Sequence, residues 1–241
     1  MALALVGLLA SAAPAAAVAL VDDGAAGGSP AASSPQTDPV TTASWSGSFS
    51  VYRPRTFSVQ RNDYTCVGAS IQMMLNTIMG EHDRSKANQY AYWQYAQAHS
   101  RYPVTDNGAD PQGWALALAH WGAGTYTVVA ASSMQAALRH AALRMRLTGK
   151  PVGMVVWGSH GGHAWVMTGF AADADPESSA NFTVSSVQAM GPLWPLGTIN
   201  GHPFDPGPKT WVGMDELTRK FTAYHAPGSP AWNGLWITVL P

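Results

Sequence analysis

The order of its hydrophobic patterns predicts an α+β protein, with helices dominating the first half and strands the second. Three observations lead there. Apolar residues recur at three- and four-residue spacing over 64–79, 83–99, 111–120 and 133–147, which is the period of a helix with a buried face. Short strand-like runs occupy 126–130, 152–157, 163–170, 182–190 and 235–239. The two kinds of segment are grouped by type instead of alternating as the βαβ units of a parallel sheet would.

Taken in chain order, residues 1–20 read as a signal peptide. The run MALALVGLLASAAPAAA is apolar, lacks the usual basic n-region, and is followed by small residues of the A-x-A type at Ala15 to Ala17. Gly, Ser and Pro interrupt it too often for a transmembrane helix, so no stable membrane span is expected once the signal is removed. Residues 21–44 form a Gly/Ser/Pro/Ala linker with no hydrophobic period, expected to be disordered. The folded domain is expected over 45–241, without internal repeats. These features predict a secreted or cell-surface protein.

Composition excludes some classes. Thirteen basic residues are scattered along a chain with a net charge of −1, so no basic cluster speaks for nucleic-acid binding. Ten tryptophans fit equally with a core or an aromatic groove. No cofactor fingerprint is present.

The chain contains one cysteine, Cys66, in QRNDYTCVGASIQMMLN. Exported proteins tend to pair their cysteines, so an odd one suggests intermolecular pairing or a reactive thiol; a small buried hydrophobe is the plainer alternative. Asp63 or Thr65 can cap the helix that follows, in which Val67, Ile71, Met74, Leu75 and Ile78 form an apolar face and Gly80 is a stop. Cys66 then lies in the first turn, where backbone N–H groups and the helix dipole favour a thiolate. Gly68 and Ala69 are small enough to let a substrate or a strand come close. Gln60, on the chain entering the helix, can present its amide to a carbonyl oxygen under attack and, with the Cys66 N–H, form an oxyanion hole.

A thiolate nucleophile needs a proton carrier. His82, His99, His120 and His140 fall in or beside helical stretches, where solvated or capping roles are expected. His202 and His225 fall in Pro/Gly-rich loops. His163 is expected to open the strand His163 to Phe170 after a turn at Gly158 to Gly162, exposed at the sheet edge, with His160 facing solvent in the turn. The H-x-x-H spacing of His160 and His163 lacks the helical geometry and Glu of a zinc peptidase, so no metal site is expected.

Gln60, five residues and then Cys66 opening an apolar helix, followed by GGHAWVMTGF on a late strand, resemble papain-like cysteine peptidases. The pattern is most similar to the C39-like family of secreted bacterial proteins. LTGKPVGMVVWGSHGGHAWVMTGF is the most specific block, and GADPQGWALAL also looks like that family. The resemblance extends over roughly Ser48 to Pro241. It implies a papain-like α+β fold, with Cys66 as nucleophile, His163 as general base and acid, and Gln60 at the oxyanion. It also implies a third residue that orients the histidine, usually Asp in an Asp-Pro pair after the next strand. At the end of NFTVSSVQAM stands Gly191-Pro192, so the Asp is expected to be replaced by Gly191. Ser186, Gln188, a backbone carbonyl or a water could then hold the ring. Asp173 and Asp175 are expected to be turn residues.

The expected function is therefore an exported cysteine peptidase acting on a peptide or protein substrate, with reduced activity because of Gly191. Two other readings compete with it. One is a catalytically impaired papain-like binding or cell-surface module. The other is a transpeptidase that passes the acyl group to an amine.

Overall fold

A computed structural model describes residues 45–241, apart from 105, 106, 159, 160, 197, 200, 201 and 227. The expected signal peptide (1–20), the linker (21–44) and His160 lie outside the described residues.

The architecture is α+β, and the helical periods become α1 (Cys66–Met79), α2 (Lys86–Ala98), α3 (Pro111–His120) and α4 (Met134–Thr148). The strand-like runs become β2 (Thr127–Ala131), β3 (Val152–Gly158), β4 (Gly161–Ala172), β5 (Val184–Met190) and β9 (Trp236–Leu240). Sequence patterning did not reveal β1 (Ser48–Ser50), β8 (Thr210–Gly213), the short helix α5 (Met214–Lys220), or the hairpin β6 (Thr198–Ile199) and β7 (His202–Pro203). Each is too short to establish a hydrophobic period of its own.

Seven strands make one antiparallel sheet in the order β2-β9-β3-β4-β5-β8, with β1 added against β4. Alternation along the strands splits the core in two. Trp165 and Met167 of β4 pack with Leu138, Ala142 and Met145 of α4 on one side. Ala164 and Val166 pack with Ile71 and Met74 of α1 and Trp114 of α3 on the other.

Helix α1 is more deeply placed than a single apolar face requires, because every residue from Val67 to Thr77 is buried. Its polar side is satisfied by protein groups instead of water. Gln72 accepts from Ser58 Oγ (2.6 Å) and donates to Asp83 Oδ2 (2.9 Å), while Asn76 Nδ2 donates to the Asp83 carbonyl (2.8 Å). Gly68 admits α2, not a substrate: a Cβ there would sit 2.6 Å from the Gln89 carbonyl oxygen and 2.8 Å from Trp93 Cβ. Gly80 ends the helix in the left-handed region at φ 73°, a conformation glycine adopts without steric cost.

The expected start of the histidine strand is corrected by the β3–β4 hairpin. Gly161, at φ 96°, lets β4 begin two residues before His163, which pairs opposite Val156 inside the ladder. Its side chain is only 10% exposed, not open at an edge. Among the described residues, no helix is long and apolar enough to cross a membrane.

The approach of α3 to α2 depends on Gly113, where a Cβ would run into the Ala96 carbonyl. Gly113→Ala is expected to destabilise the fold by ~1–3 kcal/mol, the usual cost of overpacking. Urea melts followed by circular dichroism measure this, and an unchanged midpoint would contradict the close approach.

Candidate active site

Cys66 is the first residue of α1 and is a free, half-buried thiol. Thr65 holds the N-cap position but makes no capping bond, and the first turn carries no acidic residue. The Thr65 hydroxyl instead donates to Gln89 Oε1 at 3.3 Å, and Asp63 does not serve as the cap. The helix end is therefore left without a side-chain acceptor at the position where the sulfur sits, which is where backbone N–H groups and the dipole favour negative charge.

One hydrogen bond sets the helix against the histidine strand. Ser70, one turn beyond Cys66, donates through Oγ to the carbonyl of Ala164, the neighbour of His163, at 3.1 Å. Cys66 and His163 are thus each within one turn or one residue of a shared buried contact.

The His163 ring is held by Asp205, with Nε2 2.8 Å from Oδ2. His163 and Trp165 lie two apart on β4 and so share a face. A single carboxylate reaches both, and Trp165 Nε1 donates to Oδ1 at 2.7 Å. The Leu193 N–H donates to Oδ2 at 2.6 Å. The Asp205 side chain is fully buried. Phe204 lies against the imidazole, with ring centroids 5.9 Å apart.

This arrangement corrects the expectation that Gly191 replaces the orienting aspartate. Asp205 orients the ring, and Gly191 makes room for it: a Cβ at Gly191 would lie 2.5 Å from Asp205 Oδ2 and 2.6 Å from its Cβ. Ser186 and Gln188 do not substitute. Gln188 is occupied with Ser50 Oγ at 2.6 Å, and Ser186 pairs opposite Gly213 within the sheet. Asp175 is a turn residue and also pairs with Arg146 at 3.2 Å, while Asp173 accepts the Thr183 N–H at 2.7 Å. A signal for Asp205 was present, since Asp205-Pro206 is the Asp-Pro pair that the resemblance calls for. It lies beyond the β6–β7 hairpin instead of directly after β5, so strand counting alone misplaces it.

Burial of the His163 ring opposes its protonation. The hydrogen bond to Asp205 and the electrostatic interactions with Asp205 and Cys66 outweigh burial, and the imidazole is pushed from 6.5 up to about 10. With Nε2 committed to Asp205, Nδ1 is the ring nitrogen left to exchange a proton with the sulfur.

Gln60 is buried on the segment entering α1. Its N–H donates to the Pro192 carbonyl at 2.8 Å, and its Nε2 donates to the Asn62 carbonyl at 2.8 Å. Its Oε1 is buried without a partner. Gln60 is beside the site in sequence but does not line the cleft onto which Cys66 and His163 open. That cleft has a volume of about 380 Å³ and is walled by Trp157, Val155, Tyr224 and Ala109. Of the other histidines, His225 borders the cleft, whereas His99 and His120 stack on opposite sides of Tyr95. Trp114 also lines the cleft, and Trp165 belongs to the core. Among the described residues, no group of three His, Cys, Asp or Glu side chains is placed to hold a metal ion.

In comparisons with known proteins, no family model matches the chain, and no curated protein or solved structure matches it.

A protonated His163 stabilises the fold fully at pH below 6.5, and that contribution is lost as pH rises through about 10. NMR titration of the ring is expected to show protonation persisting far above the ordinary histidine range in the wild type. Asp205→Ala and Gly191→Ala should both move the midpoint down, the first by removing the carboxylate and the second by displacing it. An ordinary midpoint in the wild type would refute the pairing.

Proposed function

We propose that the protein is an exported cysteine peptidase of papain-like fold, similar to the C39-like family. The observation that supports this reading best is that Cys66, at a helix start, and His163, hydrogen-bonded to the buried Asp205, line the same cleft. The nucleophile begins a helix, the base stands on an antiparallel strand, and the orienting carboxylate reaches the base from a later loop. Sulfur, imidazole and carboxylate in that order are what nucleophilic acyl transfer by a thiolate requires.

In this mechanism the Cys66 thiolate attacks the carbonyl carbon of a bound peptide bond. Charge develops on the carbonyl oxygen, where the backbone N–H of Cys66 and the amide of Gln60 serve as donors. The Nε2 of Gln60 would turn from the Asn62 carbonyl to take this role. The protonated His163 gives its Nδ1 proton to the departing amine, and a thioester remains. Water then attacks the thioester, His163 accepts its proton, and collapse releases the acid and restores the thiolate. Asp205 does not change protonation in these steps; it keeps Nε2 protonated and the ring turned to the sulfur.

An orienting Asp205 takes away the glycine-for-aspartate exchange that spoke for an impaired binding module. Cys66→Ala is expected to abolish peptide hydrolysis, and retained turnover would overturn the proposal. Asp205→Asn should lower kcat by up to ~10⁴-fold, the loss seen when a serine triad loses its correct tautomer. Steady-state kinetics on a peptide library give both values. The rate of Cys66 alkylation by iodoacetamide against pH, compared between wild type and His163→Ala, tests the activated thiolate without a substrate. Equal profiles in the two proteins would count against an activated pair.

A further inference from the structure

The loop that delivers Asp205 carries an aromatic ring with two partners. Phe204 directly precedes the carboxylate. Its ring meets the His163 imidazole at a centroid distance of 5.9 Å and an interplanar angle of 61°. The ammonium of Lys220 lies over the same ring, with Nζ 3.6 Å from the centroid. That is well inside the range at which a cation is drawn to an aromatic face. Among the described residues no carboxylate lies within ion-pair reach of Lys220, so the ring stands where an acidic partner would. Burial pushes the Lys220 ammonium below the ordinary lysine range; the negative charges of Glu216 and Asp205 oppose this, and Arg219 adds to it.

The two residues differ in how firmly they are mounted. Lys220 ends α5, whose Leu217 is fully buried. The next residue, Phe221, is fully buried too, donates its N–H to the Leu217 carbonyl at 2.7 Å and accepts Trp236 Nε1 at 3.0 Å. Phe204 instead follows β7, a two-residue strand of the separate β6–β7 sheet. A lysine stem ordinarily carries its charge out to water. Here a lysine on a packed helix reaches over a ring on a loop with little structure of its own.

We propose that Lys220 is a positioning residue: its ammonium clamps the Phe204 ring against His163 and thereby keeps Asp205 in line with Nε2. The effect on turnover rests on the peptidase reading, and the effect on the imidazole does not. His163, Trp165 and Leu193 all hold the Asp205 side chain. Lys220 acts through Phe204 on the backbone beside it. Without the cation the ring is free to leave the imidazole, and the carboxylate on the next residue moves with it.

The test compares, in the full chain, Lys220→Met, which removes the charge and keeps an apolar stem, with Lys220→Arg, which keeps a cation. Urea melts establish that each variant folds. Lys220→Met is expected to lower kcat by about 10- to 100-fold with little change in KM, the scale of loss when reacting groups are misplaced by an ångström. NMR titration should show the His163 midpoint moved down by roughly 1 unit, as when a carboxylate beside a cation is loosened. Lys220→Arg should restore both. Phe204→Leu should repeat the losses, and adding Lys220→Met to it should cost nothing further, because the two side chains act as a unit. A midpoint that rises in Lys220→Met shows the charge acting on the imidazole directly and overturns the clamp. So does a wild-type kcat and midpoint in that variant, failure of Lys220→Arg to recover them, or losses that multiply in the double variant. If the wild type hydrolyses no peptide, yet the midpoint falls in Lys220→Met and recovers in Lys220→Arg, the positioning role stands and the peptidase reading fails. Hydrolysis by the wild type with an unmoved midpoint in Lys220→Met does the reverse.

Discussion

The buried carboxylate of Asp205 is the constraint on which the site depends. A charge fully removed from water is tolerated only when it is paired and hydrogen-bonded. Here three donors converge on it: His163 Nε2, Trp165 Nε1 and the Leu193 N–H. Each comes from an element with its own reason to be there. His163 and Trp165 are alternate residues of a central strand, and Leu193 follows the turn that Gly191 allows to pass close by. Losing any one donor would leave negative charge undercompensated where water cannot reach. The three contacts therefore hold Leu193 and Asp205 against the sheet as much as they orient the imidazole.

Cys66 is placed by a different kind of contact. Helix α1 is surrounded, with an apolar side against the sheet and a polar side closed by Ser58, Asp83 and Gln89. Gln89 Nε2 donates to the Val59 carbonyl at 3.0 Å, and its Oε1 accepts the Arg61 N–H at 2.9 Å. The segment on either side of Gln60 is thus fixed to α2 by its backbone. A network of satisfied buried amides of this kind admits few alternative arrangements, because any shift leaves a polar group unpaired. Ser70 then fastens the same helix to the strand of His163. The separation of sulfur and imidazole is set by packing and hydrogen bonds remote from solvent, not by the cleft surface.

Cys66, His163 and the elements that carry them were legible because each lies in a long segment with a clear period. A fourteen-residue helix and a twelve-residue strand repeat their pattern often enough to be recognised. Asp205 was not legible in the same way. It lies in a loop with no period, beyond a hairpin of two-residue strands, and its sequence neighbours resemble those of any Pro/Gly-rich turn. Gly191 was noticed but misassigned, since a glycine that replaces a side chain and a glycine that makes space for one look alike in one dimension.

By itself, the sequence determined the α+β order of helices and strands, the helix start at a solitary cysteine and the strand bearing the histidine, because hydrophobic period and glycine placement act locally. Tertiary structure alone decided which carboxylate meets the imidazole, why Gly191 cannot carry a side chain, and that α1 is buried on its polar side as well. These are contacts between residues far apart in the chain. Their energy comes from the exclusion of water around paired polar groups, and no local pattern records which partners will be brought together.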